Sequence, residues 1–183
     1  MNRMVALSMI AFALTQHTSS AVAQQPYAGF EARSIKALSD QQVADLRAGR
    51  GMGLALAAEL NGYPGPSHVL ELAQPLGLSK VQRAKMEELF AAMKAETIPL
   101  GEKLIAQEAD LERQFAGKTI TETSLTTAMQ TIAATQMALR TAHLKYHLVT
   151  VEVLAPAQIR QYADLRGYSS GAQPKHLHGD HQR

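Results

Sequence analysis

The chain has 183 residues and a formal net charge of +2; it is long enough for one domain with its own core and too nearly neutral to point to nucleic acid. It is 46% hydrophobic but only 5% aromatic, and it has no cysteine. That excludes disulfide staples and thiol chemistry, so stability must come from packing.

The first residues read as a targeting segment. Arg3 supplies a positive start, and Met4–Leu14 is an apolar run of signal-peptide length, too short to span a bilayer. Ala21-Val22-Ala23 places small residues where signal peptidase reads them. Cleavage is expected after Ala23, which gives a periplasmic protein with no stable membrane insertion. Residues 24–77 read as a leader followed by short helices. Ser39 is a helix N-cap with Val43 and Leu46 on one side, and Met52–Leu60 is a second short apolar helix. Between them, Gly49, Gly51 and Gly53 read as a hinge. They neither follow a strand nor match a dinucleotide-binding spacing. Asn61–Pro66 is a turn cluster, and His68–Ala73 is a further helical turn or two with Ser67 as a cap.

Residues 78–168 carry the organising feature, a long helical hairpin. Ser79 is an N-cap with Gln82 in capping-box position. Apolar residues then recur every three or four positions: Met86, Phe90, Met93, Leu100, Leu104, Leu111 and Phe115, with Thr97 and Glu108 on the same stripe. Pro99 is expected to kink this arm near Thr97–Ile98, with Gly101 easing the bend. Gly117 is expected as a left-handed terminator and Thr121 as the cap of the second arm. That arm repeats the pattern through Leu125, Met129, Ile132, Leu139, Tyr146 and Val153, with Gln136, His143 and Thr150 on the stripe. A short turn makes the arms antiparallel. Pro156 ends the second arm and opens a last helix to about Leu165, which Gly167 stops. Residues 169–183 are Ser/Gly/Pro-rich and then His-rich, too polar to pack and expected to be disordered. The fold class is therefore all-α.

Three helix starts share Leu-x-x-x-Gln: Leu38 with Gln42, Leu78 with Gln82, and Leu154 with Gln158. The local reason is an apolar residue outside the cap and an amide that reaches back to free backbone donors. Similar helix starts, and not a functional repeat, is the preferred reading.

Candidate ligating residues are few. His143 and His147 are spaced i, i+4 on one helix face, a half-site for Zn, Cu or Ni, and counting back from the turn makes Glu96 the nearest third ligand. The plainer reading is a core-edge His143 and a solvated His147. His176, His178 and His181 form a second, looser cluster with Asp180. Met52, Met86, Met93, Met129 and Met137 are read mainly as core, although thioethers also suit adaptable binding surfaces and copper. There is no Gly-x-Ser-x-Gly, P-loop or His-Glu-x-x-His motif, and no paired carboxylates placed for acid–base work, so the chain is expected not to be an enzyme.

An exported, cysteine-free helical chain with Leu78-Ser79-x-x-Gln82 before one long helix and Leu154-x-Pro156-x-Gln158 after its partner resembles the Spy/CpxP (LTXXQ-motif) family of periplasmic proteins. Ser79 and Ala155 stand where the motif has threonine. The resemblance implies a hooked four-helix-like protomer that pairs into a cradle-shaped homodimer. It implies binding of unfolded or misfolded clients without ATP or a required cofactor, in a chaperone-like or stress-adaptor role. The alternative it carries is heavy-metal binding, sensing or resistance through the second-arm and tail histidines. A purely structural dimer is the third reading.

Overall fold

The structure, a computed structural model, describes residues 27–168. The expected signal peptide with its expected cleavage site, and the tail with His176, His178 and His181, lie outside those residues. The described chain is all-α: α1 Asp40–Arg47, α2 Leu56–Glu59, α3 Pro66–Glu71, α4 Lys80–Ala116, α5 Glu122–Val153 and α6 Pro156–Leu165, preceded by a 3-10 turn at Phe30–Ala32.

Local chemistry sets most of these boundaries. The Ser39 hydroxyl accepts the Gln42 backbone N–H, and the Gln42 side-chain oxygen Oε1 accepts the Ser39 N–H, closing a capping box on α1. Ser79 and Gln82 do the same for α4, and Thr121 and Ser124 for α5. The second short helix shrinks to four residues because Met52 (φ 43°) and Gly53 (φ 81°) are left-handed and cannot lie within it. Gly65, not Ser67, precedes α3, with Pro66 in its first turn. At the hairpin turn Gly117 stays right-handed (φ −80°), and the left-handed position falls on Lys118 (φ 53°). α4 is continuous through Pro99, which is exposed, as is Ala95, whose carbonyl loses its helical donor to the ring.

α4 and α5 pack along their length. α1 and α3 lie on α4, while α2 and α3 also reach α5. Two apolar cores result. One joins Ile35 and Leu46 to Leu104, Ile105, Ile132 and Leu139. The other joins Val69 and Leu76 to Met86, Leu89, Leu154 and Tyr162. The expected stripes hold through the middle of the hairpin and fail towards the turn. Phe115 and Met129 are exposed, because no third helix covers the arms there. Gln136 is exposed as well, and Thr135 takes the buried position beside it.

Gly101 is a contact point. A Cβ on it would lie 2.4 Å from the Leu46 carbonyl oxygen, so its missing side chain is what lets α1 dock on α4. The helix-start glutamines also do more than cap. The Gln82 amide donates to the Val153 carbonyl at 3.0 Å and to the Gln158 side chain at 2.8 Å, and Gln158 donates to the Leu76 carbonyl at 3.2 Å. The starts of α4 and α6 are thereby clasped to the end of α5. Gln158 also accepts the Ala155 N–H, but Ala155 has no oxygen to reciprocate, so that box is half made.

Candidate functional site

Between the two apolar cores the hairpin carries a polar layer. Met93 and Thr97 from α4 and Ala142, His143, His147 and Thr150 from α5 are all buried there. α2 brings Glu59 to the same level, 5% exposed. The glycine-broken loop 49–53 closes over this layer, and beneath it lies a cavity of about 550 Å³. Its walls include Gly51, Met52, Glu59, His68, Phe90, Met93, Lys94, His143 and His147.

Glu59 is the hub. The Tyr162 hydroxyl makes a short hydrogen bond to Oε1. The Tyr168 hydroxyl and His68 Nδ1 each lie 3.3 Å from the same oxygen. Oε2 accepts the Gly65 N–H at 3.3 Å and lies 3.8 Å from His147 Nδ1, and Arg166 Nε is 4.0 Å from Oε1. Burial alone would raise the carboxyl's pKa. The hydrogen bonds from His68 and Tyr162, with the positive character of His68 and His147, outweigh it and hold the group at about 2. Tyr162 is pushed far above its ordinary value by burial and by the carboxylate it faces. One carboxylate thus ties α2 to α3, α5, α6 and the residues just after α6.

His147 is not solvated. It is 7% exposed, and its Nδ1 lies 2.6 Å from the Tyr63 carbonyl. A carbonyl only accepts, so Nδ1 carries the proton. The other side of the ring lies against Gly65, where a Cβ would sit 2.8 Å from Nε2. His143 is 3% exposed, and its buried Nε2 has no hydrogen-bond partner. Burial first, and then the neighbouring His147, hold it below the ordinary histidine pKa, so it is a neutral imidazole at pH 7.

Glu96 does not join these histidines. Its carboxylate pairs with Lys145 Nζ at 2.5 Å and accepts the Tyr146 hydroxyl at 3.3 Å, and it is not on the cavity wall. The expected site of His143, His147 and Glu96 is therefore not assembled: one histidine is committed to Tyr63 and wedged on Gly65, and the carboxylate is engaged elsewhere. Among the described residues no group of three or more His, Asp or Glu side chains is placed to hold a metal ion.

Of the motif residues, Leu78 packs half-buried and Leu154 buried in the second core. Ser79, Gln82 and Gln158 form the caps and the amide clasp, and Pro156 opens α6. Sequence reasoning passed over Glu59, although a signal existed. It is the lone acid in the apolar run Leu54–Leu60, next to a turn cluster. Tyr162 and Tyr168 gave no such signal.

The outward side of α5 is the other distinctive surface. α4 bears charge in nearly every turn, whereas α5 bears it only at Glu122, Arg140, Lys145 and Glu152. Met137 is 68% exposed and Leu148 56% exposed, with Ala133, Ala134 and Thr141 also exposed around them.

Comparison of the chain with protein-family models, with curated proteins and with solved structures found no match.

Proposed function

We propose that the chain is a periplasmic, ATP-independent chaperone-like protein that holds exposed apolar segments of partly unfolded clients along the outward face of α5. The observation that carries this reading is that face itself. From Ala133 to Leu148 it presents Met137, Thr141 and Leu148 on one side of the helix, four and then seven residues apart, with charge at its margins from Arg140 and Lys145. An uncharged, Met-containing strip on a rigid helix suits shallow and unselective apolar contact. Export is supported by the apolar run Met4–Leu14 and the Ala21-Val22-Ala23 site. The motif resemblance at Leu78–Gln82 and Leu154–Gln158 points the same way, and a homodimer would double the strip.

The test is light scattering of a chemically denatured client diluted into buffer without nucleotide. The wild-type chain is expected to suppress aggregation at near-stoichiometric ratio. The double variant Met137→Glu/Leu148→Glu is expected to fold normally, since both side chains point to solvent, and to lose most of that suppression. Equal suppression by both proteins, or none by the wild type, refutes the reading.

A further inference from the structure

Phe90, Met93 and Lys94 share one face of α4. All three reach the wall of the cavity beneath the glycine-broken loop, and Met52 from the loop and Leu56 from the start of α2 line the same cavity. The four apolar side chains of this set belong to neither apolar core. A single apolar side chain outside a core needs no explanation, but four around one concave space make an apolar wall for a ligand. The volume of about 550 Å³ lies within the roughly 300–1,000 Å³ of small-molecule sites. The other charges on the wall are paired. Arg50 donates to Asp45 at 2.6 Å, Glu59 lies 3.3 Å from His68, and Glu71 lies 3.6 Å from Arg166. Lys94 forms no ion pair among the described residues. Its ammonium nitrogen stands 5.6 Å from the centre of the Phe90 ring, which sets a positive charge directly beside the apolar wall.

We propose that this cavity binds a small amphipathic monoanion, an aromatic or medium-chain alkyl carboxylic acid, with its carboxylate on Lys94 and its apolar body against Phe90, Met93, Met52 and Leu56. The charge selects the anion, because Lys94 is the one cation of the wall that no described carboxylate matches. The Phe90 ring beside it selects an apolar body joined directly to the acid group, since a ligand that pairs with Lys94 must lie over that ring. A molecule of this size touches several walls at once, so the side chains need not converge on a point. Glu59 does not oppose the anion: it is 5% exposed, and its oxygens are turned to Tyr162, Tyr168, His68 and the Gly65 N–H. The site shares no residue with the outward strip of α5 and is independent of client holding there.

The experiment is isothermal titration of the full chain with naphthoate and with decanoate, each against its uncharged counterpart, naphthamide and decanol. At least one acid is expected to bind saturably with one molecule per chain, and the tighter of the two says whether the source is aromatic or alkyl. Lys94→Gln is expected to weaken that acid by roughly tenfold and to leave the uncharged counterpart unchanged, while Lys94→Arg keeps most of the affinity. Phe90→Ala is expected to weaken acid and counterpart alike. Both positions lie outside the apolar cores, and circular dichroism shows whether the variants are folded. The double variant Met137→Glu/Leu148→Glu is expected to bind the acid as the wild type does, which separates this site from the client strip. Binding of neither acid at millimolar concentration overturns the proposal. So does acid binding that Lys94→Gln leaves unchanged, or that the α5 double variant abolishes.

Discussion

Replacing Glu59 by Gln keeps the shape of the hub and removes its charge. The carboxylate is 5% exposed and held at about 2 against an ordinary 4.5. At about 1.4 kcal/mol per pH unit of displacement, that difference is worth on the order of 3 kcal/mol of folded-state stability. The sign follows from the direction. The folded carboxyl is the stronger acid, so the contribution is fully present above 4.5 and is lost as pH falls from there towards 2. A Gln amide also offers one accepting oxygen where the carboxylate offers two. Oε1 takes Tyr162, Tyr168 and His68 while Oε2 takes Gly65, so at least one buried donor loses its acceptor, at about 1–3 kcal/mol. Urea unfolding at pH 7 is expected to show Glu59→Gln less stable than wild type by roughly 2–4 kcal/mol. At pH 3 the gap is expected to shrink visibly, because the wild type has by then lost much of its advantage. A variant within about 0.5 kcal/mol of wild type at pH 7, or a gap that stays constant between pH 7 and pH 3, refutes the hub.

Three further outcomes follow from the same contacts. Gly101→Ala, which helix propensity alone would make stabilising by about 1 kcal/mol, is expected to destabilise by about 1–3 kcal/mol, because its Cβ meets the Leu46 backbone; thermal unfolding decides the sign. A double-mutant cycle with Gln82→Ala and Gln158→Ala is expected to show a coupling energy of about 1 kcal/mol, whereas independent caps would give none. His143→Leu removes a buried imidazole with an unpartnered nitrogen and is expected to raise stability by about 1 kcal/mol at pH 7. Because the folded pKa of His143 is lowered by burial, the wild type is expected to lose stability as pH falls through the ordinary histidine value near 6.5, and the variant to lose less, as read by urea midpoints between pH 7 and pH 5.

The sequence by itself determined the helices. Ser39, Ser79, Thr121 and Pro156 act on backbone donors within three residues, and Gly167 terminates the last helix by its own left-handed φ of 75°. Effects of such short range are written where they act. The spacing of Met86, Met93, Leu104, Ile132 and Leu139 likewise fixed the inward face, since helical period is a local property. What only the tertiary structure decided are contacts made across large distances in the chain. His143 and His147 were visible as a pair, but Tyr63 and Gly65 determine that His147 is sequestered, and Lys145 determines that Glu96 faces elsewhere. Gly101 looked like a point of flexibility and proved to be the seat of α1, because the backbone it accommodates lies 55 residues earlier, at Leu46. Glu59 and Tyr162 are 103 residues apart, and no pattern within either helix announces the other. A lone acid in an apolar run says that a partner must exist, because an unpaired buried charge is too costly. Only the fold, which brings Glu59 of α2 to the Tyr162 hydroxyl of α6, says which partner it is.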